Sequence, residues 1–291
     1  MTITIASLHS YPIKSCGAID LQVSAVSQAG LSYDRQWMLA DPDGRFMTQR
    51  QWPAMALIRP TLRDGSLWVE APGMRALRVG DLAPPAEPRD DGRSLVVWRD
   101  AVPGQDEGDE VAAWFSSYLG VPCRLYRLHP QARRLASPDH VTAWRLRHGA
   151  DAPALGPEHA FGFADGFPFL IANLESLAEL NGRLRAKGEA AVPMERFRAN
   201  VVVSGLEAYE EDYVASLRGG QIVLALVKPC ARCNVPDTDQ QTGQRGAEPG
   251  RTLASYRGRD DGVMFGQNAV VQAPPGAQLR VGDVLEAELD F

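Results

Sequence analysis

The chain has 291 residues, 45% of them hydrophobic, with a formal net charge of −6 and a pI near 5.5. That size supports one large or two modest domains with a sizeable core, and the acidic balance argues against nucleic acid, whose phosphates need a basic field. No apolar run approaches the roughly 18 residues of a membrane span, and residues 1–6 lack a basic stretch followed by an apolar one; the expectation is a cytoplasmic protein with neither nucleic acid nor membrane as partner.

From residue 3 to about 128 the pattern is one of short strands, at 3–8, 36–40, 55–59, 67–70, 95–97 and 123–128. Turn formers such as Asp41-Pro42-Asp43-Gly44 and Asp64-Gly65 separate them. One helix interrupts the series: Val111, Trp114, Phe115, Tyr118 and Leu119 recur at helical spacing behind an acidic stretch, and Gly120 ends it. Between 130 and 158 the apolar pattern fades into an arginine- and proline-rich link. After it, 169–172 reads as a strand, and Asn173 caps a helix with Leu174, Leu177, Leu180 and Leu184 on one face. Further strands follow at 200–203, 221–227, 268–272 and 284–289. The sum is a mixed α/β chain, mainly β, with a barrel-like architecture and a few helices.

Cys16, Cys123, Cys230 and Cys233 are too few for a disulfide framework and are expected as free thiols. Cys230-Ala231-Arg232-Cys233 follows the strand 221–227, which places both thiols in a loop at a strand end. A structural zinc site needs four ligands at close spacing, and neither the other cysteines nor the five histidines supply them. A thioredoxin-like dithiol needs a helix start, whereas Pro236, Asp237 and Gly243 describe an extended loop. Two ordinary, half-buried cysteines are the bland alternative. Against it stand Lys228 and Arg232, cations that favour a thiolate, the form that binds a soft metal. Only Lys14, Lys187 and Lys228 among 30 basic residues are lysines, a bias that reads as that of a GC-rich bacterium, and two of the three fall inside motifs.

In chain order the motifs are Tyr11-Pro12-Ile13-Lys14-Ser15-Cys16, Tyr33-Asp34-Arg35-Gln36-Trp37, Thr48-Gln49-Arg50-Gln51-Trp52-Pro53, Phe167-Pro168-Phe169-Leu170-Ile171, Arg196-Phe197-Arg198-Ala199-Asn200, the cysteine loop through Thr242-Gly243, Leu253-Ala254-Ser255-Tyr256-Arg257 and Phe265-Gly266-Gln267-Asn268. In this order the chain resembles the MOSC-domain molybdoenzymes with an N-terminal MOSC β-barrel region, the group that includes the mitochondrial amidoxime reducing component and its bacterial relatives. The resemblance implies an N-terminal β-rich region over 1–128 and a MOSC domain over 129–291. It implies a molybdenum cofactor, a Mo-pyranopterin, with Cys233 as the one protein ligand to the metal and Cys230 as a neighbour.

By the same resemblance Lys14, Ser15 and Arg35 hold an anionic phosphate and the pterin edge, Arg198 and Asn200 reach the same pterin, Arg50 is a candidate for the pocket, and Arg232, beside the thiols, is counted among the cofactor-binding residues. Asp237 and Asp239 are expected to form turns. The implied activity is reduction of N-hydroxylated small molecules such as amidoximes, hydroxylamines and N-hydroxylated bases. With no cysteine beyond Cys233, no internal iron–sulfur cluster is expected. Electrons would then come from a separate donor protein, a reductase or a ferredoxin-like or cytochrome-like carrier. The alternative activity is that of a carrier, in which Cys233 delivers sulfur or cofactor to another enzyme.

Overall fold

In a computed structural model, which describes residues 2–83, 92–148 and 155–290, seven strands close into a barrel. They are β1 (Thr2–Ser10), β2 (Phe169–Asn173), β3 (Val201–Ser204), β4 (Val214–Gly219), β5 (Ile222–Arg232), β6 (Gly262–Gln272) and β7 (Val284–Leu289). Their order is β2-β3-β1-β7-β4-β5-β6, and β6 pairs back onto β2 to complete the ring. Only β2 and β3 run parallel; such a pair needs a crossover on one face of the sheet. Among the described residues four helices, α1 (Asp109–Leu119), α2 (Pro138–His148), α3 (Leu174–Ala186) and α4 (Gly250–Ala254), lie outside the barrel, and α3 is that crossover. None of the described helices is long and apolar enough to cross a membrane.

All seven strands send side chains into one core, among them Ile3, Ile5, Ile171, Val201, Val203, Leu217, Leu224, Val271 and Leu285. Alternation decides the other face: Val202, between Val201 and Val203, joins Leu177, Leu180 and Leu184 of α3 in a second cluster. Burial of each of those leucines contributes about 2 kcal/mol to docking the helix. The start of α3 is set by Asn173, the last residue of β2, whose side chain accepts from Glu175 N as expected from the sequence.

The first half adds a four-stranded sheet, ordered Trp37–Ala40, Arg124–Leu128, Asp100–Asp106, Arg93–Val97. Against it α1 buries Val111 and Phe115 beside Trp37, Leu39 and Leu125, and Gly120 terminates the helix in the left-handed conformation, φ 72°. The halves are interleaved. Strand β1, from the chain's beginning, lies between β3 and β7, and Val23–Ser27 pairs with Gln278–Arg280.

Two expectations are corrected. Residues 55–59 are not a strand: Pro53–Leu57 is a 3-10 turn, and the strand Arg59–Arg63 begins beyond it. Pro53 at the first position presets the turn, and a short apolar run such as Met55-Ala56-Leu57-Ile58 has no periodicity to tell turn from strand. The link over 130–158 carries α2, which buries only Val141 and Trp144 and so leaves almost no amphipathic signal; residues 149–154 of that link lie outside the described residues. Trp144 anchors the helix through its indole N–H to the Ala215 carbonyl, 2.9 Å.

Candidate functional site

The C-terminal ends of β1 and β5, the beginning of β2, the turn before β3 and the middle of β6 meet at one mouth of the barrel. There a cleft is lined by Lys14, Ser15, Arg35, Asp165, Phe167, Phe197, Arg198, Asn200, Cys230, Arg232, Cys233, Val235 and Asn268, among others. Residues more than two hundred positions apart thus share one wall. Four cations face one carboxylate, a local positive balance in a chain whose net charge is −6.

Lys14 is buried, 5% exposed, and donates to the Phe163 carbonyl at 2.8 Å and to Asp165 Oδ1 at 2.5 Å. Loss of hydration pushes its pKa down, and the Asp165 charge and hydrogen bond oppose that. Crowding by its neighbours acts to raise the Asp165 carboxyl, but the Lys14 ammonium, the Trp98 indole N–H at 3.1 Å and the Arg50 charge overcome it and hold the group below the usual carboxylate range. Ser15 projects from a left-handed turn, φ 66°, and its hydroxyl makes no hydrogen bond among the described residues.

Arg35 and Arg198 both stand over the Tyr11 ring, with guanidinium carbons 4.2 and 4.3 Å from the ring centroid. Both also sit in left-handed backbone, φ 48° and 58°. Non-glycine residues seldom adopt it, and each instance costs on the order of 1 kcal/mol that the surrounding structure must supply. Arg35 Nη1 donates to both oxygens of buried Asp34 at 2.7 and 2.6 Å, and its Nη2 to the Arg198 carbonyl at 3.3 Å. Burial raises the Asp34 carboxyl, while the Arg35 charge and the hydrogen bonds from Arg35, Tyr11 N and Asn200 pull it down.

Arg198 Nη1 donates to the Cys16 carbonyl at 2.6 Å, and burial pulls its pKa down to about 10. Its Nη2 is buried without a partner, as is Arg232 Nε. Arg232 otherwise spans the cleft wall, donating from Nη1 to Cys230 Sγ at 3.1 Å and from Nη2 to the Phe197 carbonyl at 2.8 Å. Two buried guanidinium nitrogens with no acceptor carry an uncompensated desolvation cost.

The cysteine loop differs from expectation. Cys230 lies within β5, which runs on to Arg232 across two bulged pairings with β6, and only Cys233 is in the turn beyond. Its thiol is exposed and has no hydrogen bond among the described residues. Cys16 and Cys123 are buried, and burial pushes the Cys16 thiol up to about 12, far from a thiolate. No three histidine, cysteine, aspartate or glutamate side chains among the described residues come together as a metal-ligand set.

Of the residues named from the sequence, Lys14, Ser15, Arg35, Arg198, Asn200, Arg232 and Cys233 line the one cleft. Asn200 is used up by the barrel, accepting from Leu170 N and donating to the His9 carbonyl, both at 3.2 Å. Arg50 stands outside the lining, over the Trp98 ring at 4.4 Å. Asp237 and Asp239 shape turns, accepting from Gly250 N and from Gln241 N and Thr242 N. Sequence reasoning missed Asp165, which carried only a turn signal, Asp165-Gly166, and the buried partnership of Asp34 with Tyr11 and Arg35.

A closed β-barrel thus carries a cation-lined cleft at its mouth with one exposed thiol at the lip. Two family models match: the MOSC N-terminal beta barrel domain over residues 2–122 and the MOSC domain over residues 158–286, and the chain belongs to the MOSC family. It is 33% identical over 306 residues to mitochondrial amidoxime reducing component 2 of Rattus norvegicus, covering 99% of this chain and 84% of that protein. It is 31% identical to mitochondrial amidoxime-reducing component 1 of Homo sapiens, covering 96% and 81%. The human molybdenum cofactor sulfurase is 30% identical over 87% of this chain, which spans only 28% of that larger protein. Among solved structures, the YUAD protein from Bacillus subtilis aligns over 100% of this chain and 98% of its own, with a TM-score of 0.41 and 12% identity.

Proposed function

We propose that the chain is a molybdenum-cofactor-dependent reductase of N-hydroxylated compounds, with amidoximes, hydroxylamines and N-hydroxylated bases as the substrate class and Cys233 as the single protein ligand to the metal. One observation carries the reading: Lys14, Arg35, Arg198 and Arg232 line the same cleft as the exposed Cys233 thiol. A phosphorylated pterin offers acceptors to those cations. The donor set fits the metal too, because a single soft thiolate suits a metal whose other ligands come with its cofactor. The relatives' names agree with the reading.

When bound, the cofactor supplies the redox centre that takes up the substrate's oxygen. The chain's own residues bind and orient. Lys14, the Ser15 hydroxyl and Arg198 would hold the phosphate and pterin edge. Arg35, committed to Asp34 and to the Arg198 carbonyl, holds the Arg198 turn in its left-handed form. Arg232 occupies Cys230 Sγ, which leaves Cys233 as the thiol free to ligate. Phe167, Phe197 and Val235 give the cleft apolar walls that limit water. Reduction of an amidoxime to an amidine and water consumes two electrons and two protons, so a separate electron-donor protein completes the system.

The test is expression in a host that makes molybdenum cofactor, followed by analysis of bound metal and pterin and of benzamidoxime reduction with a chemical electron donor. Wild type is expected to hold about one molybdenum and to turn over; Cys233→Ser is expected to lose both while still unfolding cooperatively, its midpoint lowered only to that of cofactor-free wild type. Metal-free wild type would sink the reading. A sulfur-carrier role is the second reading, favoured by the exposure of the Cys233 thiol and by the similarity to the sulfurases. A persulfide trapped on Cys233, with no turnover of benzamidoxime, would favour it.

A further inference from the structure

Cys233 makes no hydrogen bond of its own among the described residues, yet it must stand at a set distance from donors that belong to the chain's first forty residues. Behind the cleft a buried amide pair joins the two segments. Gln49 and Gln240, 0% and 3% exposed, exchange two amide hydrogen bonds: Gln49 Nε2 to Gln240 Oε1 at 2.9 Å and Gln240 Nε2 to Gln49 Oε1 at 3.0 Å. On one side Gln49 Nε2 also donates to the Ser15 carbonyl at 2.8 Å, at the left-handed turn that presents Lys14 and Ser15. On the other, Gln240 Nε2 donates to the Thr238 carbonyl at 3.0 Å, inside the hairpin that Thr238 and Arg245 close a few residues after Cys233. The Gln240 carbonyl accepts from Arg59 at 2.7 Å, and the Gln49 carbonyl accepts from Arg245. No polar atom of the amide pair is left over.

A second staple, from Arg196 to Asp239 and the Pro236 carbonyl, ties the same loop to the turn before Arg198. Its carboxylate is a third exposed, so water competes for that bond; the amide pair is sealed. A glutamine can serve two partners at once because its amide carries both donors and acceptors, which neither an ion pair nor an apolar contact provides.

We infer that Gln49 and Gln240 are positioning residues that set the gap between the Cys233 thiol and the Lys14–Ser15 turn, and so govern how tightly the cleft retains its ligand. The ligand part rests on the proposed cofactor reading; the coupling between the two segments does not. Neither residue touches the cleft, so their effect is on retention and on the coupling of the two walls.

The test compares full-length wild type, Gln49→Ala, Gln240→Ala, the double variant and Asn181→Ala, all from a host that makes molybdenum cofactor. Asn181 is the control, a side-chain amide with two bonds to Val192 away from the cleft. Gln240→Ala and Gln49→Ala are each expected to release molybdenum and pterin about tenfold faster on dialysis, the double variant no faster than either alone, and Asn181→Ala at the wild-type rate. Hydrogen exchange gives the second readout: Gln240→Ala is expected to speed exchange at the bonded amides of Cys16 and Gly17 by about tenfold, across more than two hundred positions of sequence. Unchanged exchange at those amides overturns the inference, as does a release rate raised equally by Asn181→Ala. Wild type that carries no cofactor defeats the proposed function, and the exchange readout then decides the positioning role alone.

Discussion

Glu211 is a titratable group buried outside the cleft. It is 1% exposed, and the Ser176 hydroxyl reaches both its oxygens, at 2.8 and 2.7 Å, with Asn173 Nδ2 at 3.2 Å. Burial raises its pKa from 4.5 to about 7, although those hydrogen bonds pull the other way. Between pH 4.5 and 7 the folded protein therefore holds a proton that the unfolded chain has released. Its stabilising contribution is full below about 4.5 and is lost as the pH rises to about 7. Glu211→Gln removes the titration, so unfolding midpoints of the variant should fall less steeply than wild type between pH 5 and 7 and lie above it at pH 8, by the equivalent of about 3 kcal/mol at most. A variant that keeps the wild-type slope would show that the carboxyl titrates normally. This group left no mark in the sequence, because Glu210-Glu211-Asp212 reads as a solvated acidic run. The cleft cations were legible for the opposite reason: Lys14, Arg35 and Arg198 sit in ordered motifs. What those motifs did not carry was the backbone, since nothing in Ser15, Arg35 or Arg198 announces a left-handed φ.

At the scale of elements, legibility follows how much of a segment's structure is decided locally. Residues 284–289 form the strand Val284–Leu289 as expected, and α1 and α3 appear with the expected stop and cap, because alternation, helical spacing, Gly120 and Asn173 are local signals. Helix α2 was hidden because packing, not periodicity, holds it through Trp144. The same distinction predicts what two glycines tolerate. Gly182 lies inside α3, exposed, with no atom within 4 Å of an added Cβ; Gly182→Ala should stabilise by about 0.5–1 kcal/mol, a rise in melting temperature of roughly 1–3 °C. Gly266 in β6 has φ +75° and would place a Cβ 2.6 Å from the Ile171 carbonyl oxygen, at the β2–β6 pairing that closes the barrel. Gly266→Ala should lower the melting temperature instead. Thermal scans of the two variants beside wild type check both directions, and a gain at Gly266 would mean that the closing pair yields without cost.

For the whole molecule, the question is whether the two family matches are separable bodies. The first match begins at residue 2, so it includes β1, yet β1 pairs with β3 and β7 of the second half and closes their ring. Such pairing spans most of the chain's length and is set by no local signal, which is why strand 3–8 could be read from the sequence while its place could not. Removing β1 would bare the edges of β3 and β7 and empty the core of Ile3, Ile5 and Leu8. At about 2 kcal/mol each, the loss of about 6 kcal/mol is a large share of the roughly 5–15 kcal/mol that holds an ordinary domain together. Residues 129–291 expressed alone should therefore show no cooperative thermal transition and should aggregate. Co-expressed with residues 1–128, they should co-purify as a complex that unfolds in one step, because the missing strand is then supplied in trans. Calorimetry of the two fragments, separately and together, makes the comparison. A sharp transition from 129–291 alone would mean that the ring closes without its first strand, and that the cleft's two walls meet by docking rather than by a shared sheet.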